Sequence, residues 1–146
     1  MSVRSIVKYW LPVFAWISLI FIASGDLMSA DHTSRFLVPF LLWLKPDISA
    51  GTLAEINFCV RKAAHLTEYA ILALVVCRAL FYGTNLKWAS SILYVSAWII
   101  CVLVAASDEF HQSFVASRGA SPWDVTIDSG GAIFGLLVYS KLIKNR

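Results

Sequence analysis

The chain has 146 residues, 59% hydrophobic and 14% charged, with a mean hydropathy of +0.72. That composition argues against an ordinary soluble domain and for an integral membrane protein, with room for about four spanning helices of roughly 20 residues each. The net charge of +3 is modest and the basic residues are dispersed, which argues against nucleic-acid binding, while Cys59, Cys77 and Cys101 are few, odd in number and set in apolar surroundings, reading as small buried hydrophobes and not as a disulfide or metal framework.

The first apolar run, residues 10–23, follows Arg4 and Lys8. It would also serve as the charged and hydrophobic parts of a secretory signal ending at Gly25, but it is long for that purpose and three more spans follow. Pro12 is expected in the first turn of this helix, where it is tolerated. Residues 24–57 form the longest connection. Within it residues 36–44 (FLVPFLLWL) are too short to span and are interrupted by Pro39, so they read as an amphipathic or re-entrant segment at the membrane surface. Asp31, His32 and Arg35 precede it as loop residues, with His32 able to lean over a nearby site.

A second helix is expected from about Thr52, where Thr52 and Glu55 have capping-box spacing, to about Tyr82. That is longer than one crossing, so its outer turns project or tilt. The third span runs from Trp88 to about Ser107. Ser121 as N-cap, Pro122 at the first helical position and Asp124 at the third open the fourth, which ends near Lys141. On it Gly131 and Gly135 are four apart, a spacing that lets a neighbouring helix approach closely. The fold expected is therefore one all-α membrane domain over residues 1–146. Four transmembrane helices cover about 6–24, 60–82, 88–107 and 122–142, with the short surface segment in the first outer loop.

Charge sets the orientation. With both termini in the cytoplasm, Arg4, Lys8, Arg78, Lys87, Lys141, Lys144 and Arg146 lie inside, seven of the twelve basic residues. All nine acids, Asp26, Asp31, Asp47, Glu55, Glu68, Asp108, Glu109, Asp124 and Asp128, fall in the outer half. Their distribution puts chemistry or binding on the outer side.

Residues 107–128 (SDEFHQSFVASRGASPWDVTID) crowd ionisable groups between two apolar segments, where each must find a partner, a proton or water. On the second helix Arg61, His65, Glu68 and Tyr69 share a face, as Asp124, Asp128, Gly131 and Gly135 do on the fourth. Counting about 1.5 Å per residue from the inner ends places Arg61, Lys62, Asp108 and Glu109 at the outer interface. His65 and Asp124 come about 5 Å deeper, and Glu68 and Asp128 about 10 Å deep. Two polar stripes at matching depth predict an open-topped polar pocket inside the bundle.

Several chemistries fit such a pocket. Arg61, Lys62 and Arg118 at headgroup level suit phosphate or another anion. His65 and His111 beside Glu68, Asp108, Glu109, Asp124 and Asp128 suit proton transfer, although Glu109 and His111 are two apart and cannot share a helical face. His65, Glu68, His111, Asp108 and Asp128 are metal ligands by type but not by diagnostic spacing, so metal and cofactor stay open. An ion-pair network that only fixes packing is the plainest alternative. It would leave three positive groups, Arg61, Lys62 and Arg118, against the five acids of the pocket, a network that does not neutralise itself. Ser107 and Ser113 lack a nucleophile-elbow motif. The lysine-to-arginine spacing and serine-glycine-histidine turn of membrane phosphatidate phosphatases are absent. Proton-coupled transport is disfavoured because the inner half has no acids for a relay.

The segment Arg61-Lys62-Ala-Ala-His65-Leu-Thr-Glu68-Tyr69, then Ser107-Asp108-Glu109-Phe-His111-Gln112, Arg118, and a helix opening with Asp124 and Asp128-Ser-Gly130-Gly131, resembles the VanZ-like family over roughly residues 53–138. The resemblance implies a small multi-pass protein of the bacterial inner membrane, and the family's founding member is linked to resistance to the acylated glycopeptide teicoplanin. It supplies a place in the envelope and no reaction. Together the two lines lead to an envelope protein that binds, and at most modifies, a lipid-linked or acylated anionic ligand such as an envelope precursor or an acylated glycopeptide, with membrane lipids as its surroundings. Arg61, Lys62, Tyr69, Gln112 and Arg118 are expected to hold the ligand. His65 and His111 are expected to move protons, with Glu68, Asp108, Glu109, Asp124 and Asp128 orienting them or holding a cation. A non-catalytic accessory membrane protein is the competing expectation.

Overall fold

The computed structural model describes residues 3–26, 29–84 and 88–144. It contains five helices, α1 (Val3–Ser24), α2 (Ala30–Leu44), α3 (Ala50–Tyr82), α4 (Ser90–Gln112) and α5 (Pro122–Lys144), and no strand among the described residues. Three of them, α1, α3 and α4, are long and apolar enough to cross a membrane. The expected fourth span coincides with α5, which is 23 residues long and carries Asp124 and Asp128 in its first two turns, and α5 is not among the three helices long and apolar enough to cross. Lys87 and Arg146, and the Lys144 side chain, which enter the charge argument for orientation, lie outside the described residues.

Local signals explain most boundaries. The Ser121 hydroxyl accepts from the Trp123 N–H at 3.3 Å and its carbonyl from the Asp124 N–H at 2.8 Å, so α5 opens at the expected Ser-Pro-x-Asp signal. α3 begins two residues earlier than expected. Its cap is Ser49, whose hydroxyl takes the Thr52 N–H at 3.1 Å, and Glu55 is exposed and takes no part. α4 runs on to Gln112, beyond Ser107. Two prolines lie in helix interiors and neither ends its helix: Pro12 in α1 and Pro39 in α2. Each removes one intrahelical hydrogen bond, a loss that is tolerated where neighbours supply other contacts. The 36–44 segment is therefore part of a continuous 15-residue helix that buries none of its residues.

The contacts fix how the helices run. Trp10 Nε1 donates to Gly83 O at 3.2 Å and Trp16 Nε1 to Glu68 O at 2.9 Å, so α1 and α3 are antiparallel. Lys62 pairs with Asp124, and Phe81 packs on Tyr139 at 5.9 Å, so α3 and α5 are parallel. The bundle then has two unlike ends. At one, Tyr9 stacks on Tyr82 at 6.1 Å beneath Lys8 and Arg78. At the other meet the end of α1, the first half of α3, the end of α4 and the start of α5. Between them lies a core of small and branched side chains, with Leu72, Ala73, Val76, Cys77, Ala97, Cys101, Ala105 and Ala132 fully buried. Cys77 and Cys101 are core residues as expected, whereas Cys59 is exposed on the projecting part of α3.

The α3–α5 contact is the most extensive in the bundle and is set by glycine. A Cβ on Gly131 would overlap the Leu66 carbonyl, and one on Gly135 the Ala70 carbonyl, so the backbones touch one helical turn apart. Backbone cannot swing aside as a flexible side chain can. Gly131→Ala is expected to destabilise the detergent-solubilised protein by about 2 kcal/mol in thermal unfolding. Gly130→Ala, where a Cβ meets nothing within 4 Å, serves as the neutral or slightly stabilising control.

Candidate functional site

α3 supplies the first wall of the polar end, because Arg61, His65 and Glu68 recur along one face of a continuous helix. They line a cavity of about 50 Å³ together with Arg118 from the α4–α5 connection, Ser24 at the end of α1 and Thr33 on α2. That volume holds a few water molecules or one small polar group. Four of the twelve side chains singled out in the sequence thus meet in one space.

Behind that wall the carboxylates divide by partner. Asp108 is fully buried and doubly held, accepting from the Ser24 hydroxyl through one oxygen and from Gln112 Nε2 at 3.0 Å through the other. Glu109, also buried, accepts from the Ser121 N–H at 2.8 Å through Oε2, while its Oε1 has no hydrogen-bond partner among the described residues. Lys62 is paired with Asp124 at the start of α5 and lies over the Phe58 ring. Asp128, at 0% exposure, has no hydrogen-bond donor on either oxygen among the described residues. His65 Nδ1 lies 3.4 Å from it, within reach of an ion pair but outside hydrogen-bond geometry. Buried polar groups left in that condition are costly, and such exceptions mark places where a proton, a water or a ligand completes the set.

Arg118 has a double task. Its Nε donates to Gly25 O at 3.0 Å and its Nη2 to Ala23 O at 2.8 Å, closing the carbonyls at the end of α1. Burial and then the neighbouring Arg61 guanidinium lower its pKa from the ordinary arginine value. Arginine stays charged under such a shift. Two guanidiniums therefore share one small cavity, and Arg61 Nε is buried without a hydrogen-bond partner among the described residues. Nearby, the Ser117 hydroxyl holds the exposed Asp26 carboxyl below its usual pKa, and His32 Nε2 lies 3.3 Å from Asp26. His32 thus leans toward Asp26 and is not among the cavity residues.

The remaining candidates lie elsewhere. Because α4 stays helical through Gln112, Glu109 faces inward and His111 outward, where His111 is exposed with its ring 5.6 Å from Phe21. Tyr69 is fully buried one turn below His65, its hydroxyl without a hydrogen-bond partner among the described residues. Trp43 and Trp123 are 77% and 75% exposed, as belt residues at an interface would be. Among the described residues no three His, Cys, Asp or Glu side chains converge as a metal site. Two participants escaped the sequence reading, Ser24 and Thr33. A hydroxyl at the end of an apolar run carries no signal of its own, since only the fold brings it to a carboxylate 84 positions away.

The family described as VanZ/LLP1 matches residues 9–144. The chain belongs to that family. Comparison with curated proteins and with solved structures gave no match.

In this VanZ/LLP1 member the Lys62–Asp124 pair links α3 to α5 through two charged side chains, 22% and 11% exposed, beside the more fully buried approach of His65 to Asp128. Lys62→Met is expected to destabilise by about 2 kcal/mol, since it strands a largely buried carboxylate. Adding Asp124→Asn should restore more than half of that loss in a double-mutant cycle. Strictly additive losses would show that the pair is not coupled.

Proposed function

We propose that this VanZ/LLP1 chain is an envelope membrane protein that binds an acylated or lipid-linked anionic ligand at the polar end of its bundle, with both termini in the cytoplasm, α5 as a fourth crossing and that end facing outward. One observation carries the reading. Arg61 and Arg118 line the same cavity, and Arg61 Nε is buried with no hydrogen-bond partner among the described residues, so two positive groups and an unused donor meet there, which suits an anion. Glu68 and the His65–Asp128 pair adjoin that position. They are the groups able to move a proton, so modification of the bound ligand is the further step this reading allows. The orientation is supported by the basic, aromatic character of the other end and by the absence of any acid between positions 69 and 107 or after 128.

A second reading is favoured by a separate observation. Arg118 already donates to two carbonyls of α1, and Lys62 is already paired with Asp124, which is what an accessory protein with a purely structural polar cluster requires.

The discriminating experiment compares cells carrying the wild type, Arg61→Gln, Glu68→Gln or no protein, by mass-spectrometric profile of phospholipids and lipid-linked precursors and by teicoplanin susceptibility. The binding reading expects well-expressed, stable Arg61→Gln protein that loses the wild-type effect by roughly tenfold, the size of one charge-assisted contact. The accessory reading expects stability and effect to fall together. Wild-type behaviour in both variants would sink the binding reading. Orientation is checked by fusing alkaline phosphatase, active only outside the cytoplasm, after Gly119 or after Gly83. The first fusion should be active and the second silent, and the reverse pattern would refute the topology.

A further inference from the structure

Beside the polar cavity a second space opens on the outer surface of the bundle. It is a groove of about 420 Å³ between α1 and α3, walled by Trp16 and Leu19 on one side and by Ala63, Thr67 and Ile71 on the other. Its floor is low because Ala63 and Thr67 are small. Its α3 wall recurs every three or four residues from Val60 to Ile71, so it follows the helix for about 16 Å. That is close to half of a hydrocarbon core roughly 30 Å thick, the depth of a single leaflet. The groove also has a head. Val60, Ala64 and Glu68 line both it and the cavity that holds Arg61 and Arg118.

From this continuity we infer that the ligand is an anionic phospholipid of the bilayer itself, entering sideways, with one acyl chain along the α1–α3 groove and its phosphate between Arg61 and Arg118. The inference rests on the anion-binding reading above and gives that site its ligand class and its direction of entry. The cavity, at about 50 Å³, is too small for more than a headgroup fragment, so the apolar remainder of any acylated ligand must lie outside it. The groove is the apolar surface that adjoins it. Glu68 at the junction then faces the polar linkage between chain and phosphate, whose ester oxygens accept a hydrogen bond from a carboxyl group in its protonated form.

The molecule provides its own comparison. A groove of about 340 Å³ lies on the other side of α1, lined by Ile17, Phe21 and Leu103 among others, and it shares no lining residue with the cavity and has no charged one. It offers an acyl chain a similar bed without a place for a phosphate. Selection by headgroup is therefore expected in the α1–α3 groove alone.

The test uses the full chain in nanodiscs of phosphatidylcholine containing a tenth phosphatidic acid, with a benzophenone amino acid at Thr67 in the α1–α3 groove or at Leu103 in the other. Both positions are exposed, so the substitutions leave the core untouched. After irradiation, mass spectrometry gives the ratio of phosphatidic acid to phosphatidylcholine adducts. At position 67 that ratio should exceed the bulk ratio by about tenfold, and at 103 it should equal it. Arg61→Ala should return position 67 to the bulk ratio, and Ala63→Trp should remove lipid adducts there. Native mass spectrometry of the same samples reports whether phosphatidic acid is retained through Arg61. Retention that depends on Arg61 with only bulk-ratio adducts at 67 would overturn the groove and leave the anion site standing. Enrichment at 67 that survives Arg61→Ala would overturn the pairing of groove with cavity. Loss of both signals would overturn the anion site as well, and protein–protein adducts at 67 would assign the groove to a second copy of the chain.

Discussion

Everything at the polar end depends on how closely α5 lies against α3. The approach at Gly131 and Gly135 brings backbone to backbone, and in doing so it fixes the axial position of one helix on the other to within a fraction of a turn. With that register set, Lys62 meets Asp124, His65 comes to Asp128, and Phe81 reaches Tyr139 at the far end. A slip of one turn, about 5.4 Å, would part all three. The glycines are therefore as much a part of the site as the charged residues they align, although they touch nothing that could be called a ligand.

The second constraint is the division of labour among the carboxylates. Asp108 and Asp124 have partners of their own, Ser24 with Gln112 and Lys62 respectively, and act as fasteners between α1, α4, α3 and α5. Glu109 straddles the two roles, with one oxygen on the start of α5 and one without a partner. Asp128 is as fully buried as Asp108 and the least provided for among the described residues, and Glu68 lies on the cavity wall. The stable half of the network thus holds the incomplete half in place.

Much of this was legible in the sequence, and for identifiable reasons. The face shared by Arg61, His65 and Glu68 follows from helical periodicity alone, and so does the glycine spacing of α5. The opening of α5 followed from Ser121-Pro122-x-Asp124, because cap chemistry is local. The family likeness rested on the same residues. What failed was also local reasoning, applied where two local options compete. Ser49 and Thr52 are both good caps, and the chain uses the earlier one. Pro12 read as a first-turn residue and Pro39 as an interruption, yet both lie in helix interiors and both helices continue through them. His111 was counted with the site on proximity in sequence, and the uninterrupted helix turns it outward toward Phe21. Ser24 and Thr33 carry no pattern at all, so only tertiary structure could reveal them.

The bonds at the end of α1 bear on how the chain is made. Ser24 is tied to Asp108, 84 positions later, and the Gly25 carbonyl to Arg118, 93 positions later. In the topology proposed above, α1 leaves the translocon long before either partner has been synthesised. It can wait there without penalty, since between Lys8 and Asp26 it carries no charge and its lone hydroxyl near the end can bond its own backbone, as Ser24 also does to Phe21 O. Asp108 depends on another helix, because beyond Gln112, one turn on, its remaining bond comes from Ser24. The order of synthesis resolves this, with the acceptor of the burden already in the membrane when the charge arrives. In that order the first helix is the fixed partner and α4 the arriving one, so the Ser24–Asp108 bond closes the polar end last-to-first along the chain.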